Sequence, residues 1–277
     1  MIIWLASYPK SGNTWVRLFL NSLIYAPDDK LNINNIKIDQ FPLRKHFQNF
    51  SSNTDDVTEI IKNCNLAQSE LNLDKKIKFF KTHSPFWKIG KYSFTDDKNT
   101  IGAIHIVRDP RNVITSVKNH YNHENYERSL KFIKDDDKVI GSKGSIKEAD
   151  LPTIISSWKF HYNSWKNITS LKSKYILIKY ENLLRDPINE FLKITDFIKK
   201  ISEIKFEEKN ILKFIKDTSF KNLRQQEELK GFKEAPENNN KFFYLGPKND
   251  WKDLLDKKTK DKIEVNFKNE MQDLGYL

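Results

Sequence analysis

Short unbroken apolar runs alternate along this chain with stretches in which apolar residues recur every three or four positions. The first run, residues 2–6, reads Ile2-Ile3-Trp4-Leu5-Ala6 and has the continuous hydrophobicity of a buried strand. Runs at 77–80, 101–107 and 175–180 predict three more strands, the second of these runs apolar except for His105. After the first strand, Val16, Leu18, Phe19, Leu20, Leu23 and Ile24 fall at spacings suited to a helix packed on a sheet. Further helices are expected at 56–66, at 151–169 with Ile154, Ile155, Trp158, Tyr162 and Trp165 on one side, after Asp186-Pro187, and at 257–274. Asp109-Pro110 is a second cap-plus-N1 pair that opens a helix directly after a strand. The polar stretches 26–76 and 124–150 read mainly as loop, the first covering the mouth of a site and the second forming a mobile gate. Strands separated by helices predict an α/β fold of three layers, with a central parallel sheet of about four or five strands flanked by helices.

The length, 277 residues, suits one domain with a sizeable core, spanning 1–277. The net charge of +11 suits an anionic ligand. Much of it is Lys scattered among Asn and Ile, and no recognition-helix or RNA motif accompanies it, so nucleic acid is not expected as a partner. Cys64 is the only cysteine, which precludes an internal disulfide and points to a reducing compartment. No signal peptide and no membrane span is evident, so a cytoplasmic location is expected.

The stretch that promises chemistry is Ser7-Tyr8-Pro9-Lys10-Ser11-Gly12-Asn13-Thr14-Trp15, between the first strand and the first helix. Pro9 and Gly12 suit a sharp turn. That turn would deliver Lys10, the hydroxyls of Ser11 and Thr14, and the amides of a new helix to one point, the makings of an anion site. One alternative is an ordinary turn with a solvated Lys10. Another is a nucleotide-triphosphate loop, but that signature needs a Gly directly before Lys-Ser, where Pro9 stands.

Tyr8-Pro9-Lys10-Ser11-Gly12-Asn13-Thr14-Trp15 closely resembles the 5′-phosphosulfate loop of sulfotransferases, Y-P-K-S-G-T-T-W. These enzymes move a sulfuryl group from 3′-phosphoadenosine 5′-phosphosulfate (PAPS) to an acceptor. Further pieces follow in order. Lys81-Thr82-His83-Ser84-Pro85-Phe86 resembles the family's K-T-H-x-P-F, whose His is the general base. Val107-Arg108-Asp109-Pro110-Arg111, with Ser116 eight residues after Arg108, resembles the 3′-phosphate motif. An Arg suits that role because its planar fork pairs bidentately with phosphate. Tyr180-Glu181-Asn182-Leu183 is similar to the stretch whose Tyr contacts adenine. Thr218-Ser219-Phe220 resembles the T-S-F run, whose Phe is expected to stack on adenine opposite Trp15. Gly246, Asp250, Trp251 and Lys252 match the C-terminal R-K-G-x-x-G-D-W-K motif, but Tyr244 and Leu245 replace its basic pair and Asn249 its second Gly. Lys248, Lys241 and Arg224 are the candidates to compensate.

The resemblance implies a P-loop-like fold and in-line sulfuryl transfer to a hydroxyl or amine. His83 is then the general base, Lys10 neutralises charge on the leaving nucleotide, and Lys81 touches the transferring group. Lys10, Ser11, Gly12, Asn13, Thr14, Trp15, Arg108, Ser116, Tyr180, Thr218, Ser219, Phe220 and Gly246 bind the nucleotide, and no metal is needed. His120, Tyr121 and His123 are expected as surface or acceptor-side residues. The acceptor would be a small molecule or glycan. A P-loop kinase and a nucleotide-binding protein without turnover remain the alternatives.

Overall fold

The computed structural model describes residues 1–141, 151–170, 173–235 and 241–277. The chain divides into two compact units, each assembled from separated stretches. The first holds Met1–Pro9, Asp39–Val107 and Phe132–Leu177, and the second Lys10–Ile38, Arg108–Lys131 and Ile178–Leu277.

The first unit is organised on a five-stranded sheet, whose last strand runs two residues past its boundary. In chain order its strands are β1 (Ile2–Ser7), β2 (Asp39–Gln40), β3 (Lys78–Thr82), β4 (Thr100–Val107) and β5 (Lys174–Lys179). Their spatial order is β2-β3-β1-β4-β5. Strand β1 is buried at every residue, as its uninterrupted apolar run requires. It pairs in parallel with β3, Ala6 opposite Thr82, and with β4, Ser7 opposite Ile106. The carboxyl ends of β1, β3 and β4 therefore lie along one edge, where parallel sheets of this class carry their ligands. Below that edge Trp4 is a centre of the core, with Phe94 at 5.0 Å, Phe41 at 5.6 Å and Phe80 at 6.2 Å between ring centroids. Its indole N–H donates to Thr100 Oγ1 at 2.8 Å, so the ring is buried without an orphaned donor.

Three expectations for the stretches between the strands need correcting. The polar region 26–76 contains β2, which pairs with β3, and a helix Val57–Leu71 that runs five residues past the expected end. That helix is capped by Asp56, which accepts from the Thr58 amide at 2.8 Å. The helix expected at 151–169 begins only at Trp158. Ser156 lies at φ 58, Ser157 caps the helix by accepting from the Phe160 amide, and Thr153–Ile154 is a short strand paired with Val139–Ile140. Within 124–150, Tyr126–Lys134 is helical rather than loop, and residues 142–150 lie outside the described residues.

The second unit is mainly helical. Asn13–Tyr25 presents Leu18 to a cluster with Ile33, Leu223, Phe232 and Phe243, and Phe19 to Phe191 of helix Pro187–Ile201 at 4.1 Å. The closing segment is two helices, Lys257–Asn266 and Lys268–Asp273. Phe267 interrupts them at φ −122, where its ring is buried. The α/β class and the central parallel sheet flanked by helices are as the sequence predicts.

Candidate functional site

The helical unit gathers most of the residues singled out for nucleotide binding. Lys10 and Gly12 both have left-handed backbone, φ 66 and φ 99. For Lys10 this is a conformation L-residues seldom keep unless surrounding contacts hold it. Gly12 is the N-cap of helix Asn13–Tyr25 and carries no side chain to occupy the first-turn amides. The Ser11 hydroxyl is buried with no hydrogen-bond partner among the described residues. A Cβ on Gly12 would stand 2.3 Å from Tyr180 Cδ2, so the Tyr180 ring packs directly on the turn.

The same ring carries Arg108. Its guanidinium carbon lies 4.2 Å from the Tyr180 centroid, a cation–π contact in a buried setting. Arg108 Nη1 donates to the Lys10 carbonyl at 3.2 Å and to Ser116 Oγ at 3.2 Å. Lys10, Arg108, Ser116 and Tyr180, spread over 170 positions of sequence, thus form one connected cluster. Burial raises the Tyr180 phenol above its usual range, so the ring is neutral beneath the cation.

Behind Arg108 the turn is braced by carboxylates. The Asp109 amide donates to Glu181 Oε1 at 2.9 Å, and Asp109 caps its own helix by accepting from the Arg111 amide at 2.9 Å. Arg111 grips Asp109 through Nη2 at 2.6 Å and Glu264 through Nη1 at 2.6 Å, while its guanidinium carbon lies 3.9 Å from the Trp251 ring centroid. Burial is the main influence on Asp109 and raises its pKa, against the pull of Arg111.

The Lys10 side chain reveals two residues whose part the sequence did not show. Its ammonium lies 3.2 Å from His120 Nδ1 and 3.9 Å from the centroid of Phe242. Nδ1 serves as acceptor there, because an ammonium can only donate. His120 and Tyr121 are buried at the end of helix Pro110–His120, so of the two placements expected for them, surface or acceptor side, the surface one is corrected. Phe242 is set by Glu227, whose carboxylate accepts from the Phe242 amide at 2.7 Å and the Phe243 amide at 2.9 Å.

Trp15 makes edge contacts with Tyr180 at 6.1 Å and Phe191 at 5.7 Å. A Cβ on Gly246, at φ 53, would stand 2.4 Å from Phe220, so these two pack together. Thr218 donates its hydroxyl into its own helix, to the Phe214 carbonyl at 2.6 Å, and Ser219 is the N-cap of helix Phe220–Lys230. Of the candidates to replace the basic pair, Lys241 and Arg224 both bind Glu228 at the surface, at 2.7 and 3.2 Å, and Lys248 is exposed in a turn.

The sheet unit carries His83, one residue beyond β3 and buried. Its Nδ1 lies 2.7 Å from the Ser7 carbonyl oxygen and 3.3 Å from Ser7 Oγ. A carbonyl only accepts, so Nδ1 bears the hydrogen and Nε2 is left as the basic nitrogen. The turn after His83 is pinned by Trp165, whose indole donates to the Ser84 carbonyl at 3.0 Å, and by Ser164, which accepts from the Phe86 amide at 3.0 Å. Lys81 is buried near the end of β3. Two further buried histidines stand nearby in this unit. His105 Nδ1 is 2.9 Å from the Tyr175 hydroxyl, and its ring is 5.5 Å from that of His161. Burial holds His105 down at about 3 and drives His161 well below the ordinary range, His105 and His83 adding to that effect, so both rings are neutral. Among the described residues no helix is long and apolar enough to cross a membrane.

The family model of the sulfotransferase domain matches residues 2–275. Flavonol 3-sulfotransferase of Flaveria bidentis is 25% identical over 280 residues, covering 95% of this chain and 79% of that protein. Cytosolic sulfotransferase 15 of Arabidopsis thaliana is 23% identical over 256 residues, covering 91% of this chain and 66% of that protein. Among solved structures, mouse sulfotransferase SULT7A1 complexed with PAP superposes with a TM-score of 0.63 at 21% identity, over 97% of this chain and 84% of the other. Retinol dehydratase in complex with androsterone and inactive cofactor PAP gives 0.58 at 18% identity, over 98% and 81%. With the domain matched from the first strand to the last helix, the chain belongs to the sulfotransferase family.

Proposed function

We propose that residues 1–277 act as a single PAPS-dependent sulfotransferase domain, carrying a sulfuryl group to a hydroxyl or amine of a small-molecule acceptor in the cytoplasm. The observation that carries this reading is the Arg108 side chain, which joins the Lys10 carbonyl to Ser116 and so unites the two anion motifs in one cluster. The residues present fit a doubly anionic adenine nucleotide. The buried Ser11 hydroxyl lacks a partner among the described residues, and Gly12 brings no side-chain cap to the start of the helix. When bound, PAPS supplies the sulfuryl group and departs as adenosine 3′,5′-bisphosphate. Asn13, Thr14 and Ser11 hold its 5′ end, Arg108 and Ser116 its 3′-phosphate, and Trp15, Tyr180, Thr218, Ser219, Phe220 and Gly246 its nucleoside.

His83 takes the acceptor's proton through Nε2, the nitrogen that the Ser7 carbonyl leaves unprotonated. Lys10 meets the charge that grows on the leaving oxygen, and Lys81 meets the transferring group. No metal ion has a role in this reading, since Lys10, Arg108 and backbone amides supply the counter-charge. The name of one plant relative, flavonol 3-sulfotransferase, favours a phenolic or other hydroxylated acceptor.

The test is transfer of radiolabelled sulfate from PAPS over a panel of alcohols, phenols, amines and glycans. His83→Ala is expected to abolish transfer while leaving bisphosphate binding within about twofold. Full turnover in that variant removes His83 from the mechanism. Binding of adenosine 3′,5′-bisphosphate without transfer to any acceptor class would instead mark a nucleotide-binding protein without turnover. Preference for ATP would favour a kinase.

A further inference from the structure

The basic pair of the C-terminal motif is replaced by Tyr244 and Leu245, yet the same segment brings a different group to Ser116. Asn249 is buried at the end of the turn Gly246–Lys248. Its Nδ2 donates to the Asn112 carbonyl at 2.9 Å and to Ser116 Oγ at 2.9 Å. The orientation of this amide is fixed by chemistry. A carbonyl oxygen only accepts, so the atom facing Asn112 has to be the nitrogen. The segment is held in register beside it, because the Trp251 amide donates to Asn112 Oδ1 at 2.9 Å.

The consequence falls on the Ser116 hydrogen. A hydroxyl has one donor and two acceptor sites. Ser116 Oγ accepts from Arg108 Nη1 at 3.2 Å and from Asn249 Nδ2 at 2.9 Å, and both neighbours present only hydrogens to it. Its acceptor sites are filled, and it donates to no group among the described residues. A helical serine commonly turns its hydrogen back on the carbonyl four residues earlier. Here that carbonyl belongs to Asn112 and already takes the Asn249 amide.

We propose that Asn249 is a positioning residue for the nucleotide's 3′-phosphate: it fills the second acceptor site of Ser116 and leaves the Ser116 hydroxyl hydrogen to donate to the ligand. This rests on the reading of Arg108 and Ser116 as the 3′-phosphate holders and deepens it. The segment that lost two cations contributes pre-organisation instead. Ordering the donor before binding spares the ligand that cost.

Calorimetry with adenosine 3′,5′-bisphosphate and adenosine 5′-monophosphate tests it on the full-length chain. The wild type should prefer the bisphosphate. Asn249→Ala should weaken bisphosphate binding about 5- to 10-fold, the scale of one oriented hydrogen bond, and leave monophosphate binding within about twofold. In a Ser116→Ala background, Asn249→Ala should have no further effect on either nucleotide, which a merely structural role would not produce. Asn249→Asp is near-isosteric and keeps the test alive if the alanine variant fails to fold. Its carboxylate would accept the Ser116 hydrogen, and the loss of bisphosphate binding should exceed about 10-fold. Equal weakening of both nucleotides, or an undiminished Asn249→Ala effect without Ser116, overturns the inference and spares the reading of the site. A wild type blind to the 3′-phosphate overturns both.

Discussion

Gly12→Ala is the most direct probe of how the turn between β1 and helix Asn13–Tyr25 is built. The new methyl carbon would lie 2.3 Å from Tyr180 Cδ2 and 2.8 Å from Cε2, on a backbone at φ 99. Two costs add. An L-residue held in that region loses about 1–3 kcal/mol, and overpacking a filled contact costs about 1–3 kcal/mol more. The sum, about 2–6 kcal/mol, is a large part of the 5–15 kcal/mol typical of whole domains. Tyr180 cannot retreat without consequence, because Arg108 rests on its ring at 4.2 Å and reaches from there to Lys10 and Ser116. Urea unfolding should therefore show a lower midpoint, and adenosine 3′,5′-bisphosphate should bind at least about tenfold more weakly, the equivalent of about 1.4 kcal/mol. The steric part belongs to one pair of residues, so it can be separated. In a Tyr180→Ala background the same substitution should cost only its backbone share, about 1–3 kcal/mol. A penalty equal in both backgrounds would show that the ring contact is not its source. A change below about 0.5 kcal/mol in both would refute the account of the turn.

Two further outcomes are expected. Glu227→Gln keeps the shape of the buried side chain but turns one acceptor into a donor opposite the Phe242 or Phe243 amide. The orphaned group should cost about 1–3 kcal/mol, read as a fall in melting temperature, and an unchanged melting curve would count against the clamp. Acid should destabilise the fold before the carboxylates titrate. Burial lowers His46 to about 4 and His105 to about 3, from ordinary values of 6.5. Below pH 6.5 the unfolded chain binds protons that the folded chain refuses. The stabilisation is thus complete above 6.5 and is lost as pH falls toward the folded values, His46 alone contributing about 3 kcal/mol. Urea midpoints that stay flat between pH 7 and pH 5 would contradict this.

Chemistry that acts over a few residues was readable in the sequence. The cap of Asp109 and the N1 position of Pro110 are local, and the Arg111 amide meets Asp109 Oδ1 at 2.9 Å. Asp186-Pro187 repeats the device, with the Asn189 amide on Asp186 Oδ1 at 3.2 Å. Strand β1 announced itself because burial on both faces leaves no polar position to interrupt the run. Strand β2 could not, since two polar residues carry no period and pair only because β3 lies beside them. At 151–169 the apolar spacing fitted a helix, yet Ser156 and Ser157 start it late by local backbone chemistry that outweighs periodicity.

Partners brought together by the fold are a different matter, and they decide how the site works. Lys10 and Arg108 were identifiable as cations in known motifs, but not what holds each one. His120 is a polar residue at the end of an amphipathic helix, and nothing local tells whether it faces water or a lysine 110 positions earlier. Asn249 stands 133 positions from Ser116, and as a residue type it reads as turn chemistry. The loss of a basic pair at Tyr244-Leu245 is a statement about charge, and on the sequence it counts only against the ligand. The structure adds a term of another kind, because a neutral amide can fix where a hydroxyl hydrogen points without supplying any charge. Affinity for a phosphate depends on both, and only the first is legible from residue types.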